Sequence, residues 1–331
     1  MQKNYATQIN WGIIGVGNVC EIKSAPAMQL IPNSSLVAVM RRNGELARDY
    51  AKRHNVPKWY DDADALIADP DINAIYIATP PHAHLPMTLK AAAAGKAVYV
   101  EKPMARNHGE CLAMIAACEQ AGVPLYVAYY RRTLPHFIKI KTLIENGIIG
   151  EVRHLSIHMN QSAKPPLVAN MDNNWRVDPQ ISGGGYFHDL ASHQLDFLDH
   201  VFGPIKQAKG ITRNQGELYA APDMVTASFE FASGVMGTGS WCFNSAPCAQ
   251  CDITEIIGSK GRIQYATFGS GDVVLQTEDK GLQRFNVVLP QHIQQPLIHA
   301  IVDELLGTGH CPSNGHTAAR TNWVMDQICN Q

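Results

Sequence analysis

A chain of 331 residues, 46% hydrophobic and 17% charged, exceeds one ordinary core and fits two globular domains. Its net charge of −2 offers no basic field for a nucleic-acid backbone, and no apolar run reaches the roughly 20 residues of a membrane span, so neither nucleic acid nor membrane is an expected partner. The eight cysteines are too sparse for a disulfide framework and the opening residues carry no signal-type apolar region, so the reading is a cytoplasmic protein with reduced thiols.

In chain order, the apolar runs INWGIIG (9–15), SLVAVM (35–40), NAIYIA (73–78), KAVYV (96–100) and VPLYVA (123–128) alternate with segments of helical period at 19–30, 44–54, 85–94 and 110–121. Such alternation predicts an α/β, doubly wound parallel sheet of Rossmann type, in which ligands bind outside the carboxyl ends of the strands. The first strand runs into GVGNVC. Gly15 permits a tight turn, Gly17 lets backbone amides approach a pyrophosphate, and Asn18 and Val19, which open the following helix, are assigned to the cofactor with them. Cys20 stands where the third glycine of a GxGxxG motif would pack helix against strand, a task that a small thiol can share.

The second strand ends in VMRRNGE. Arg41 and Arg42, with no acid before Glu45, favour the 2′-phosphate of NADP over the ribose diol of NAD. At the third strand end, IATPPHAH, Pro80 and Pro81 cannot continue a central strand, so the chain leaves the sheet beside the expected nicotinamide side. Thr79, Pro80 and His84 are assigned to the cofactor, with a purely structural His84 as the other reading. The next strand runs straight into Glu101, Lys102 and Pro103, which places an ion pair where a ligand would lie.

After YYRRTLPHF the pattern changes to β-type segments joined by glycine turns: EVRHLSIHM, MVTASFEFA, VMGTGSWCF, DITEIIG, GRIQYATF, DVVLQTE and RFNVVL. These predict an α+β C-terminal domain with a large, mostly antiparallel open sheet, and a division into domains at 1–129 and 130–331. Two helices, 292–307 and 317–329, close the chain. Cys248 and Cys251 form a lone CxxC with no second pair nearby, so no metal site is expected.

Between these segments, residues 181–203 read as a glycine-rich turn and a helix. At about 100° per residue, Phe187, Leu190, Ala191, Leu195, Leu198, Val201 and Phe202 share one side. Asp189, Ser192, His193, Asp196, Asp199 and His200 share the other, with Asp189 and His193 one turn apart. A solvated face is the plain reading. Three bare glycines at 183–185 argue instead for close approach of a bulky ligand.

Taken together, GIIGVGNV, IATPPHAH, AAAAGKAVYVEKPMA, YYRR, IIGEV and NWRVDPQISGGGYFHDLASHQLD resemble the glucose-fructose oxidoreductase, inositol dehydrogenase and rhizopine-catabolism (Gfo/Idh/MocA) family over nearly the whole chain. The resemblance implies that Lys102 reaches the nicotinamide ribose and the reacting oxygen, that Asp189 and His193 enter from the second domain, and that the Lys102–Pro103 bond is cis. Chemistry agrees. Oxidising a carbinol needs a base for the hydroxyl proton, which an imidazole with an ordinary pKa near ~6.5 can supply, while a lysine charge stabilises the developing alkoxide.

The expected protein is therefore an NAD(P)-dependent oxidoreductase acting on a sugar, polyol or related ring, with Lys102 and His193 handling the proton. Asp189 orients the substrate, and Glu101 fixes Lys102 and its strand end. Trp175 and Arg176 are substrate candidates, with Tyr130, Arg131 and His158 behind them; Arg176 reads equally as an interdomain salt bridge. The alternatives are relatives acting on dihydrodiols, bilins or glycosides, and a non-catalytic cofactor sensor, which has no need of the Lys102 and His193 pair. Family resemblance, together with a sheet face of alternating apolar residues, implies a homodimer or homotetramer formed through the C-terminal sheet.

Overall fold

The computed structural model describes residues 7–167 and 174–329, and the chain divides into two units. The first holds the residues up to Tyr130 together with Pro290–Ala319; the second holds Arg131–Leu289 and the residues from Arg320 onward. The change of unit at Tyr130 falls one residue from the boundary read in the sequence. The return of 290–319 to the first unit is new, since the sequence reading runs the second domain to the chain end.

In the first unit, β1 (Ile9–Ile14), β2 (Ser34–Met40), β3 (Lys58–Tyr60), β4 (Ala74–Ile77), β5 (Ala97–Val100) and β6 (Leu125–Val127) form one parallel sheet ordered β3-β2-β1-β4-β5-β6. Every residue of β4 and β5 is buried, which is why these strands read as unbroken apolar runs. The order reverses between β1 and β4, so the crevice for a ligand opens at their carboxyl ends. The helix expected over 19–30 is two, Asn18–Ile22 and Ala25–Leu30. Pro26 has no amide hydrogen to extend a helix and is accepted only in the first turn of a new one. β3 and the helix Ala63–Ala68 are not among the expected elements; three residues are too few to show a period, although Asp62 caps that helix through the Asp64 and Ala65 amides.

The second unit is built on eight strands: β7 (Val152–Asn160), β8 (Ile205–Arg213), β9 (Met224–Phe231), β10 (Met236–Cys242), β11 (Cys251–Gly258), β12 (Gly261–Tyr265), β13 (Asp272–Thr277) and β14 (Gly281–Asn286). Their order is β14-β13-β12-β11-β7-β10-β9-β8, antiparallel throughout except for the parallel β7–β10 pair. Leu155, Ile157, Met159, Trp241, Phe229, Ile256 and Ile263 point to the covered face and are buried. Gly239 sits on that face because a Cβ there would lie 2.0 Å from the Trp241 ring.

The other face corrects an expectation. Its rows are mainly small and polar: Lys209, Ser228, Thr238, Ser156 and Glu255 lie side by side, and next to them Ile211, Thr226, Ser240, His158 and Ile253. Most apolar members of the alternation belong to the covered face, while Ile211, Met236, Ile253 and Leu282 are exposed on this one.

A π-helical turn, Phe187–Ala191, leads into the helix Ser192–Phe202. Its polar residues are not solvated: His193, Asp196 and Asp199 are all buried. Arg132 reaches Asp196 with Nε at 2.9 Å and Nη2 at 2.5 Å, and Thr321 Oγ1 donates to the same carboxylate at 3.3 Å. Arg320 Nε lies 3.0 and 3.1 Å from the two Asp199 oxygens. The face that reads as a surface carries one interior ion pair, Arg132–Asp196, and a second, Arg320–Asp199, whose acid alone is buried. Among the described residues, no helix is long and apolar enough to cross a membrane.

Removing one partner of such a pair leaves an uncompensated charge, so Arg132→Met should cost about 3–5 kcal/mol in urea unfolding at pH 8. Burial pushes the Asp196 carboxyl up to about 6 against the pull of Arg132. Without the pull of Arg132 the Asp196 carboxyl of the variant lies higher still and takes up its proton first, so the deficit of the variant should shrink as pH falls from 8 toward 6. A deficit equal at pH 8 and pH 5 would contradict the assignment.

Candidate active site

Gly15 ends β1 with φ +87°, and a Cβ there would meet the Thr79 methyl at 2.7 Å, so only glycine fits the turn. Gly17 is different. Among the described residues a Cβ on it would find only the Gly15 carbonyl, at 3.8 Å, at the head of the helix Asn18–Ile22. Thr79, at the carboxyl end of β4, has a buried hydroxyl with no hydrogen-bond partner among the described residues. Cys20 is fully buried, and the Tyr50 hydroxyl donates to its carbonyl at 2.7 Å. Burial pushes the Cys20 thiol up to about 12, so it stays neutral and acts as packing, the part read for it in the sequence. Arg41 and Arg42 follow β2 as exposed side chains, with Asn43 capping the next helix.

The end of β5 is tightly held. Glu101 is buried and accepts from the Tyr76 hydroxyl at 2.6 Å, from Gln294 Nε2 at 2.8 Å and from the Lys102 amide at 3.1 Å. Gln294 in turn accepts from the Tyr99 hydroxyl at 2.8 Å, and Tyr76 and Tyr99 stack at 4.7 Å. The Lys102–Pro103 bond is cis. His84 spans the same region, with Nε2 2.8 Å from the Thr79 carbonyl and Nδ1 3.1 Å from the carbonyls of Pro103 and Met104. Both ring nitrogens are committed to the main chain, and burial lowers its pKa, which favours the structural reading of this residue. Sequence reasoning missed Gln294, Tyr76 and Tyr99, because nothing in a motif marks a glutamine almost two hundred residues downstream.

In the second unit, Arg176 Nε donates to Asp189 Oδ2 at 3.0 Å, and its guanidinium lies 4.4 Å over the Trp175 ring. The structure therefore brings together three of the predicted residues, and the Arg176 pair lies within this unit, not across an interdomain boundary. Arg131 donates to the Thr267 carbonyl at 3.0 Å and stacks 4.3 Å over Phe268, while Tyr130 is buried at the change of unit. The His193 ring meets the same Phe268 edge-on at 5.7 Å. His158 is exposed on the opposite face of β7 from Met159, away from the helix that carries His193.

The glycine run also has another explanation than a ligand. A Cβ on Gly184 would lie 2.0 Å from His188 Nδ1, and one on Gly185, at φ +75°, would lie 2.4 Å from the Ala221 Cβ. The chain's own side chains fill that space. Cys248 sits exposed in the short turn Pro247–Ala249 and Cys251 begins β11; among the described residues, no group of three or more His, Cys, Asp or Glu side chains is placed to hold a metal ion.

Compared with known proteins, residues 9–129 match the NAD-binding Rossmann-fold model of an oxidoreductase family, and residues 137–264 match the GFO/IDH/MocA C-terminal domain. The chain belongs to the GFO/IDH/MocA oxidoreductase family. It is 39% identical to Oxidoreductase P35 of Formosa agariphila, over 98% of this chain and 99% of that one. It is 30% identical to myo-inositol 2-dehydrogenase of Thermotoga maritima, over 82% of this chain and 78% of that one. Levoglucosan dehydrogenase in complex with NADH and levoglucosan shares the fold at TM-score 0.85 and 24% identity, over 98% and 96% of the two chains.

This GFO/IDH/MocA oxidoreductase binds a nicotinamide dinucleotide, and its residues fit one: bare backbone at Gly17, a helix start behind it, and an orphaned hydroxyl at Thr79. Gly17→Ala tests the fit. None of the described residues opposes the methyl, and the gain from a stiffer unfolded chain is offset by alanine's poorer fit as a helix N-cap, so stability without cofactor should change little. The methyl would stand where a pyrophosphate must approach, so cofactor affinity should fall about tenfold or more, or at least about 1.4 kcal/mol. Thermal melting with and without cofactor separates the two effects; unchanged affinity would remove Gly17 from the site.

Proposed function

We propose that this oxidoreductase interconverts a secondary alcohol and ketone on a sugar, polyol or inositol-like ring, with NADP as its preferred cofactor. The observation that carries the reading is the position of Lys102, beside a buried and triply bonded Glu101 at the carboxyl end of β5, next to the strand whose end carries Thr79. The relative named for myo-inositol supports a polyol ring as substrate class.

The bound nicotinamide would supply or accept the hydride. The chain's own part is to place the substrate and move the proton. Lys102 stabilises negative charge on the substrate oxygen, and His193 takes the hydroxyl proton in oxidation and returns it in reduction. Burial of His193 keeps bulk water from competing for that proton. Asp189, fixed by Arg176, presents carboxylate oxygen to a second hydroxyl. Arg41 and Arg42 clasp the 2′-phosphate as exposed guanidinium groups at the end of β2, the strand beside β1.

Replacing Arg41 and Arg42 together by Ala should weaken NADP binding by about 2–4 kcal/mol, with NAD little affected. Isothermal titration with both cofactors decides it, and equal weakening would count against the preference. His193→Asn should lose about 10²- to 10⁴-fold in kcat with cofactor affinity retained, and Lys102→Met as much or more. Steady-state kinetics with a deuterated substrate is the check. Near-normal turnover and an unchanged pH profile in His193→Asn would exclude the proton-handling role.

A further inference from the structure

The proton-handling role proposed for His193 requires a fixed ring, and the surroundings of that ring in the second unit converge on one acid that the mechanism does not use. Asp252 lies on β11, on the covered face with Thr254 and Ile256. Its Oδ2 accepts from the Phe268 amide at 2.7 Å, and its Oδ1 accepts from Gln194 Nε2 at 3.3 Å. Phe268 is the ring that meets His193 edge-on, and Gln194 is the next residue along the helix. Gln194 is fixed at its other end, where Oε1 accepts from Trp241 Nε1 at 2.7 Å.

We infer that Asp252 is a positioning residue for His193, holding the imidazole through Phe268 on one side and through Gln194 on the other. The carboxylate is suited to this because both of these contacts come from donors, and a carboxylate accepts on both oxygens. An amide cannot replace it. Whichever way an asparagine side chain turned at this position, its NH₂ would face either the Phe268 amide or Gln194 Nε2, and Gln194 cannot flip to compensate without losing Trp241. Arg131 completes the clamp, bonding the Thr267 carbonyl and stacking on the Phe268 ring. Burial pushes the Asp252 carboxyl up to about 6, with the backbone amide of Phe268 and the charge of Arg131 pulling the other way, so at neutral pH it is ionised and able to accept twice. Asp252 and Phe268 also line, with Gln161, Gln250 and Leu167, a pocket of about 200 Å³, so the acid and ring that hold His193 border open space, not solid core.

The inference rests on the proposed role of His193, and the test separates the two. The full-length protein is labelled at histidine, and the His193 signal is identified by its loss in His193→Asn. Asp252→Asn and Phe268→Leu should each shift and broaden that signal while the other histidine signals stay in place, a readout that needs no substrate. With an accepted polyol, both variants should lose about 10- to 100-fold in kcat, the size of effect that follows small misplacement of a reacting group, with cofactor affinity unchanged. Phe268→Leu keeps the backbone amide for Asp252 and removes only the ring, so it remains informative where Asp252→Asn unfolds. An unmoved His193 signal in both variants, or full turnover in both, would overturn the positioning role. Full turnover in His193→Asn with a shifted signal in Asp252→Asn would instead remove the chemistry assigned to His193 and leave the clamp standing.

Discussion

A carboxylate taken wholly or largely out of water has to be given donors, and in this chain that requirement decides where the side chains of the candidate site stand. Glu101 collects a tyrosine hydroxyl, a glutamine amide and the main chain of Lys102; Asp196 and Asp199 each take an arginine; Asp189 takes Arg176; Asp252 takes a backbone amide and Gln194. Each acid is thereby fixed, and each fixes what donates to it. A solvated carboxylate would impose no such order, because water satisfies it in any orientation.

How much of this is legible in the sequence follows from the range of each interaction. The parallel sheet is readable because its central strands are covered on both faces, so Ala74–Ile77 and Ala97–Val100 are apolar without interruption. Gly15 is readable because a positive φ pressed against Thr79 leaves no other choice. Lys102 and His193 stand out as a lysine at a strand end and a histidine on a polar stripe, with a family pattern to join them. Periodicity does not say whether that stripe meets water or arginine, since Arg132 and Arg320 lie 64 and 121 residues from their partners. Gln294 is invisible for the same reason: its importance lies in Glu101, 193 residues earlier.

The glycines show how one residue type carries two meanings that sequence alone merges. At Gly17 the missing side chain leaves room that none of the described residues fills, which suits a ligand. At Gly184 and Gly239 it leaves room that His188 and Trp241 already occupy, which is packing. The run at 183–185 looks like the stronger signal because it is longer, yet its space at 184 and 185 is spent internally. The informative variable is what a Cβ would meet.

Lys102 and His193 share a construction, each within its own unit. Beside Lys102 the buried Glu101 bonds the lysine's own backbone amide, and near His193 the half-buried Asp252 bonds the backbone amide of the ring's neighbour, Phe268. In each case the acid bonds main chain, which fixes the backbone from which a neighbouring side chain starts. Anchoring of this kind decides where the reacting group can stand, and a small misplacement at the backbone is felt at the reacting atom.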